Sequence, residues 1–266
     1  MGATTRVRGI EMAYEVAGEG PPVVLLHGFP FNRSLWHEQI EALSSNHRVI
    51  APDLRGFGES EVGPGPATME EMAQDVAALM DHLHVNRAVL GGLSMGGYVS
   101  FAFCRLFPLR VGALILADTR PQADSDEARL NREQLAARAL SEGMAAVADA
   151  MLPRLFAPQT HAEQPEVVAR VRDMIFATKP EGAAAALRGM AARRDHTYFL
   201  PEILAPTLII VGSEDALAPP KDAELMHREI RGSRLEIIAG AGHVSNLEQP
   251  ADFNRALTEF LRALEP

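Results

Sequence analysis

Short apolar runs punctuate this chain at Val23–Leu26, Val49–Ala51, Ala88–Leu90, Ala113–Ala117, Leu208–Val211 and Leu235–Ile238. Runs this short, bounded by Gly, Pro and Asp, suit strands buried on both faces, and therefore a mainly parallel sheet. Helical spacings lie between them. Met69, Met72, Ala73, Val76, Met80 and Leu83 recur at three and four residues, and Thr68 with Glu71 forms a capping-box pair ahead of them. Such alternation requires right-handed crossovers and an α/β fold, a parallel sheet flanked by helices. Ahead of the first run, Ile10, Met12, Tyr14 and Val16 alternate, which predicts a half-buried strand over residues 6–17. Gly18-Glu19-Gly20-Pro21-Pro22 ends it.

One region breaks the alternation. From Pro121 to Thr197 there is no strand pattern, only short helical stretches with breaks near Gly143, Pro153, Pro158, Pro165 and Pro180. The chain is therefore divided into a core of residues 1–121 and 197–266 and a helical cap, or lid, of residues 122–196 inserted late in the sheet.

Composition excludes several classes. With 35 Asp and Glu against 25 Lys and Arg, the net charge of −10 argues against a nucleic-acid partner, because holding a phosphate backbone relies on cations. No apolar run approaches the ~18 residues that span a bilayer. Arg6 and Arg8 have no hydrophobic stretch behind them, so the first residues read as no secretory signal, and Arg6 stands where a myristoylation motif needs Ser or Thr. A single cysteine, Cys104, forms no intrachain disulfide. The expectation is a soluble cytoplasmic protein, for which a monomer suffices.

The strongest local signal is Gly92-Leu93-Ser94-Met95-Gly96, a G-x-S-x-G pentapeptide between an apolar run and a helical spacing over Tyr98–Leu106. Strand, sharp turn and helix are the context of a nucleophile elbow. A dinucleotide-binding reading fails, because Gly91-Gly92-Leu93 lacks the G-x-G spacing. A serine hydroxyl needs a base beside it. Of nine histidines, His243 stands on the glycine-rich segment Ala239-Gly240-Ala241-Gly242 after the last apolar run. The base needs a carboxylate to fix its tautomer. Asp215, after Val211-Gly212-Ser213-Glu214, is the first choice; Asp118, which follows another apolar run, and Glu214 compete with it.

These segments resemble the α/β-hydrolase family, over essentially the whole chain. Leu25-Leu26-His27-Gly28-Phe29-Pro30 resembles its H-G segment, and Ala51 to Ser60 its P-D-x-R-G-x-G-x-S segment. The elbow, G-x-x-D at Gly212 to Asp215 and G-x-G-H at Gly240 to His243 follow in the family's order. Within the family the chain is most similar to small bacterial carboxylesterases and related enol-lactone hydrolases. It departs at Ser245, where many relatives carry proline. The resemblance implies an oxyanion hole from the backbone N–H groups of Phe29 and Met95, a structural role for His27, and a scaffold role for Arg55 to Ser60.

The expected function is a serine carboxylester hydrolase that acts on small to medium, mostly apolar esters through an acyl-enzyme on Ser94. Dehalogenase and epoxide hydrolase relatives use aspartate at that place. The alternatives are an enol-lactone or other lactone hydrolase with the same triad, and a slow-turnover ligand sensor. No cofactor or metal is implied: there is no H-E-x-x-H and no C-x-x-C. Phe29, Met144, Phe156, Met174, Met190 and Val244 are the candidate pocket residues for the small-molecule ester. The lid arginines Arg154, Arg188, Arg193 and Arg194 read as a solvated helix face.

Overall fold

The computed structural model describes residues 2–264. Its sheet has eight strands: β1 (Gly2–Val7), β2 (Ile10–Ala17), β3 (Pro22–Leu26), β4 (Arg48–Pro52), β5 (Ala88–Leu93), β6 (Val111–Ala117), β7 (Thr207–Gly212) and β8 (Arg234–Ile238). Their spatial order is β1-β2-β4-β3-β5-β6-β7-β8. From β4 to β8 neighbouring strands are parallel, while β1 and β2 are antiparallel. The central runs are covered on both faces, as continuous apolar sequence demands: every residue from Val23 to Leu26 is at most 1% exposed.

Helices α1 (His37–Leu43), α2 (Met69–His82) and α3 (Met95–Leu106) link the first parallel strands. The capping box at α2 is formed, with the Glu71 N–H donating to Thr68 Oγ1 at 3.1 Å and the Thr68 N–H to Glu71 at 3.3 Å. Between β6 and β7 come α4 (Asp126–Glu142), α5 (Met144–Leu155), α6 (Thr160–Glu163), α7 (Pro165–Ala177) and α8 (Pro180–Ala191). Pro165 and Pro180 open their helices, where the missing N–H costs nothing, whereas Pro153 lies inside α5. The chain closes with α9 (Pro220–Glu229), α10 (Ser245–Glu248) and α11 (Pro250–Arg262). α11 buries Phe253, Ala256, Leu257, Phe260 and Leu261, one helical stripe against the core.

The structure departs from the sequence reading in two places. Residues 6–17 are not one strand: β1 and β2 form a hairpin through Arg8 (φ 44) and Gly9 (φ 87). Two consecutive positive φ angles are what a two-residue I′ connection needs, and nothing in Arg-Gly advertises it as Asn-Gly would. At the other side, β8 is the sheet edge, so Ile237 stays 47% exposed instead of being covered on both faces.

Parallel strands present all their carboxyl ends on one side of the sheet, where open α/β sheets bind ligands. The segments after β3, β5, β6, β7 and β8 therefore bring His27–Phe29, Ser94, Asp118, Asp215 and His243 to the same end.

Candidate active site

Ser94 sits between β5 and α3 with φ 53 and ψ −111, a conformation that β-carbon sterics disfavour. The tightness of the turn explains its glycines. A Cβ on Gly92 would lie 2.2 Å from the Gly96 carbonyl oxygen, and one on Gly96 would lie 2.1 Å from that of Leu26. The turn thrusts the hydroxyl out of the sheet end. His243 Nε2 stands 2.8 Å from Ser94 Oγ, and His243 Nδ1 stands 2.8 Å from Asp215 Oδ2. Asp215 is held in turn, since its Oδ1 accepts the N–H groups of Leu217 (2.7 Å) and Ala218 (2.9 Å). A carboxylate at Nδ1 leaves Nε2 free of hydrogen and able to accept the serine proton.

Burial works against a charged His243, but the Asp215 carboxylate outweighs burial and holds its pKa above the usual histidine value; Arg120 pulls the other way. A general base must be neutral to act. Turnover is accordingly expected to fall as pH drops through a midpoint above the usual histidine value, and Arg120→Gln should move that midpoint further up. A kcat–pH profile of both proteins checks the two directions.

Two backbone N–H groups beside Ser94, those of Met95 and Phe29, lack a backbone partner among the described residues. Met95 is the first residue of α3, whose leading N–H groups have no partner within the helix. The Phe29 N–H donates to no acceptor among the described residues. The loop that carries it packs on the serine: a Cβ on Gly28 would come within 3.3 Å of Ser94 Cβ. His27 is a strut. Its Nε2 accepts the Leu54 N–H (3.0 Å) while Nδ1 meets the Gly28 carbonyl (2.9 Å), and burial keeps its pKa low. Asp53 ties its segment to the loop after β3, accepting the N–H groups of Glu59 (2.9 Å) and of Arg33 (2.8 Å).

Two buried carboxylates outside the relay brace the histidine loop. Glu248 accepts the N–H groups of Gly242 (2.7 Å) and Ala157 (2.8 Å) and the Thr160 hydroxyl (2.6 Å), joining that loop to the α5–α6 connection. Asp118 meets Gly212 and Ser245.

Ser94 and His243 open onto a cavity of about 680 Å³. Its walls include Phe29, Tyr98, Leu135, Met151, Leu187 and Met190, together with four cations (Arg120, Arg132, Arg154, Lys221) and two acids (Asp124, Asp222). Asp124 is already neutralised. Burial opposes its charge, but Arg132 and Arg193 outweigh burial and hold the carboxyl below its usual range. Arg193 is thus buried, 2.7 Å from Asp124 and stacked over Tyr98, not part of a solvated face. Arg120 reaches Asp124 only at 3.7 Å, and its buried Nε has no partner among the described residues. The cavity is net positive in a protein of net charge −10.

Of the candidate pocket residues, Phe29 and Met190 line this cavity. Met144, Phe156, Met174 and Val244 do not: they are buried in packing, and Met174 borders a separate surface depression with Arg170. The stretch of α4 that does face the cavity, Ala128, Asn131, Arg132 and Leu135, carries a clean helical spacing. Its mixed polarity hid it from a search for Met and Phe. Among the described residues no cluster of three His, Cys, Asp or Glu could hold a metal ion, and no helix is long and apolar enough to cross a membrane.

A model of the alpha/beta hydrolase fold matches residues 21–250. The chain belongs to the α/β-hydrolase family. Among solved structures, this hydrolase is 48% identical to a thermophilic esterase from Thermogutta terrifontis, seen with malate bound, at a TM-score of 0.97 over 100% of both chains. It is 35% identical to the enol-lactonase from Burkholderia xenovorans LB400, at a TM-score of 0.92 over 98% of this chain and 100% of that one. It is 29% identical to 3-oxoadipate enol-lactonase 2 of Acinetobacter baylyi, over 97% of this chain and 96% of the relative.

Proposed function

We propose that this α/β-hydrolase is a serine carboxylester hydrolase working through an acyl-enzyme. The observation that carries the reading is the unbroken relay Asp215–His243–Ser94, with both contacts at 2.8 Å, opening onto a cavity. Ser94 Oγ attacks the ester carbonyl as His243 Nε2 takes its proton. The N–H groups of Phe29 and Met95 stabilise the tetrahedral oxyanion. Collapse breaks the ester C–O bond, and the proton on His243 goes to the departing alcohol. Water, deprotonated by the same imidazole, then cleaves the acyl-enzyme and frees the acid. Residues 122–196 act as the cap: α4, α5 and α8 supply Arg132, Leu135, Met151, Arg154, Leu187 and Met190 to the cavity walls.

A steady-state assay with a short-chain chromogenic ester tests this. Many turnovers per enzyme are expected, whereas a single stoichiometric burst would make the protein a ligand sensor instead.

A second reading is favoured by Arg120 in the cavity wall, whose one carboxylate partner among the described residues is held at 3.7 Å. With that carboxylate, Asp124, 3.7 Å away, an ester or lactone bearing a carboxylate would pair with the guanidinium where an apolar acyl group would not. Related proteins named enol-lactonase and a malate-bound esterase support the same direction. A hydrogen bond to a charged group contributes ~1.5–3 kcal/mol, so Arg120→Gln is expected to cut the preference for a dicarboxylic half-ester over the matching neutral diester by ~10–100-fold. An unchanged ratio of kcat/KM for the two esters would return the choice to neutral substrates.

A further inference from the structure

The residues at the end of β6 bond to Ser94 and to the segments that carry Asp215 and His243. The Ala117 carbonyl accepts the Ser94 N–H at 2.9 Å, and Thr119 Oγ1 donates to the Ser94 carbonyl at 2.8 Å. Between them Asp118, wholly buried at φ 46, accepts the Gly212 N–H at Oδ1 (2.9 Å). Its Oδ2 lies 2.6 Å from Ser245 Oγ and 3.3 Å from the Ser245 nitrogen. Gly212 ends the strand that delivers Asp215, and Ser245 stands two residues beyond His243. One carboxyl group therefore joins the acid's strand to the histidine's loop.

We infer that Asp118 is a positioning residue for the relay: through Gly212 and Ser245 it fixes the separation of Asp215 and His243, and asparagine can replace it where glycine cannot. The inference rests on the triad reading above. The groups facing Asp118 are Asp215 on the segment after β7 and His243 on the segment after β8. Burial, then the neighbouring Asp215 charge, push the Asp118 acid up to about 8. Near neutrality it keeps its proton, so a single carboxylate charge, that of Asp215, faces the imidazole. Asparagine reproduces this state. Its oxygen accepts the Gly212 N–H and its amide N–H faces Ser245 Oγ, at the loss of the 3.3 Å contact from the Ser245 N–H, and like aspartate it tolerates a positive φ. Glycine also accepts the φ but deletes both contacts.

The test uses the full-length protein with Asp118→Gly, Asp118→Asn, Ser245→Ala and Ser94→Ala, each checked for folding by circular dichroism. Asp118→Gly is expected to lose ~10²-fold in kcat, the usual consequence of small misplacement of reacting groups, with KM within about twofold. Asp118→Asn should keep kcat within a few-fold at pH 7. It should also lose an inflection near pH 8 that the unsubstituted protein shows as Asp118 ionises beside Asp215. Ser245→Ala should lose several-fold in kcat and leave KM unchanged, and it decides the matter if Asp118→Gly does not fold. Full kcat in Asp118→Gly or in Ser245→Ala would overturn the inference. So would a loss in Asp118→Asn equal to that in Asp118→Gly. Those failures would leave the relay standing, provided Ser94→Ala is dead; an active Ser94→Ala would instead remove the triad reading itself.

Discussion

Ser94→Ala is expected to abolish ester hydrolysis, with a loss in kcat of ~10⁶-fold, the scale seen when a relay of this kind loses its nucleophile. The fold should survive. Serine and alanine share the Cβ that the elbow has already accommodated at φ 53, so the backbone strain is unchanged, and the residue is only partly buried. Alanine removes one hydrogen bond, that from Oγ to His243 Nε2, and it does so at the mouth of a cavity that water can enter. Thermal melting should therefore stay within a few degrees of the parent, as a change of ~1 kcal/mol implies at this size. A purified, folded Ser94→Ala that retained more than a few per cent of parental turnover would show that another group attacks the ester.

What could be read from the sequence was whatever the backbone alone dictates. The elbow was legible because Gly92 and Gly96 are required by contacts near 2 Å, which no other residue relieves. Asp215 and His243 could be placed at the same sheet end because each follows a strand end and a glycine, and the structure brings them to 2.8 Å of one another. The walls of the cavity were not. α4 turns Asn131, Arg132 and Leu135 toward it, and their mixed polarity is indistinguishable from a solvated face until the sheet end beneath it is known. Arg193 was misjudged for the same reason: its partner Asp124 lies far away in sequence, so only tertiary structure reveals that the charge is buried. Asp118 was visible as a competitor for the acid, and its contact with Ser245 was not, since it spans 127 residues.

That competition leads to the second large effect expected here. Asp215→Asn should lower kcat by ~10⁴-fold with little change in KM, because the imidazole is then held in the wrong tautomer. The geometry says which way the amide must sit. Oδ1 of Asp215 accepts two backbone N–H groups, from Leu217 and Ala218, so an asparagine placing its NH₂ there would face two donors with a third. The amide oxygen must take that site, which turns the NH₂ toward His243 Nδ1. Nδ1 then has to accept, the ring proton moves to Nε2, and Nε2 meets Ser94 Oγ as a donor with no lone pair for the hydroxyl proton. At Asp118 no imidazole tautomer is inverted: its nearer partner on that side, Ser245 Oγ, both donates and accepts, and the amide forfeits only the 3.3 Å contact from the Ser245 N–H. Parallel kcat measurements on Asp215→Asn and Asp118→Asn at neutral pH therefore separate the two carboxylates. A large loss in the second and a small one in the first would assign the acid to the end of β6.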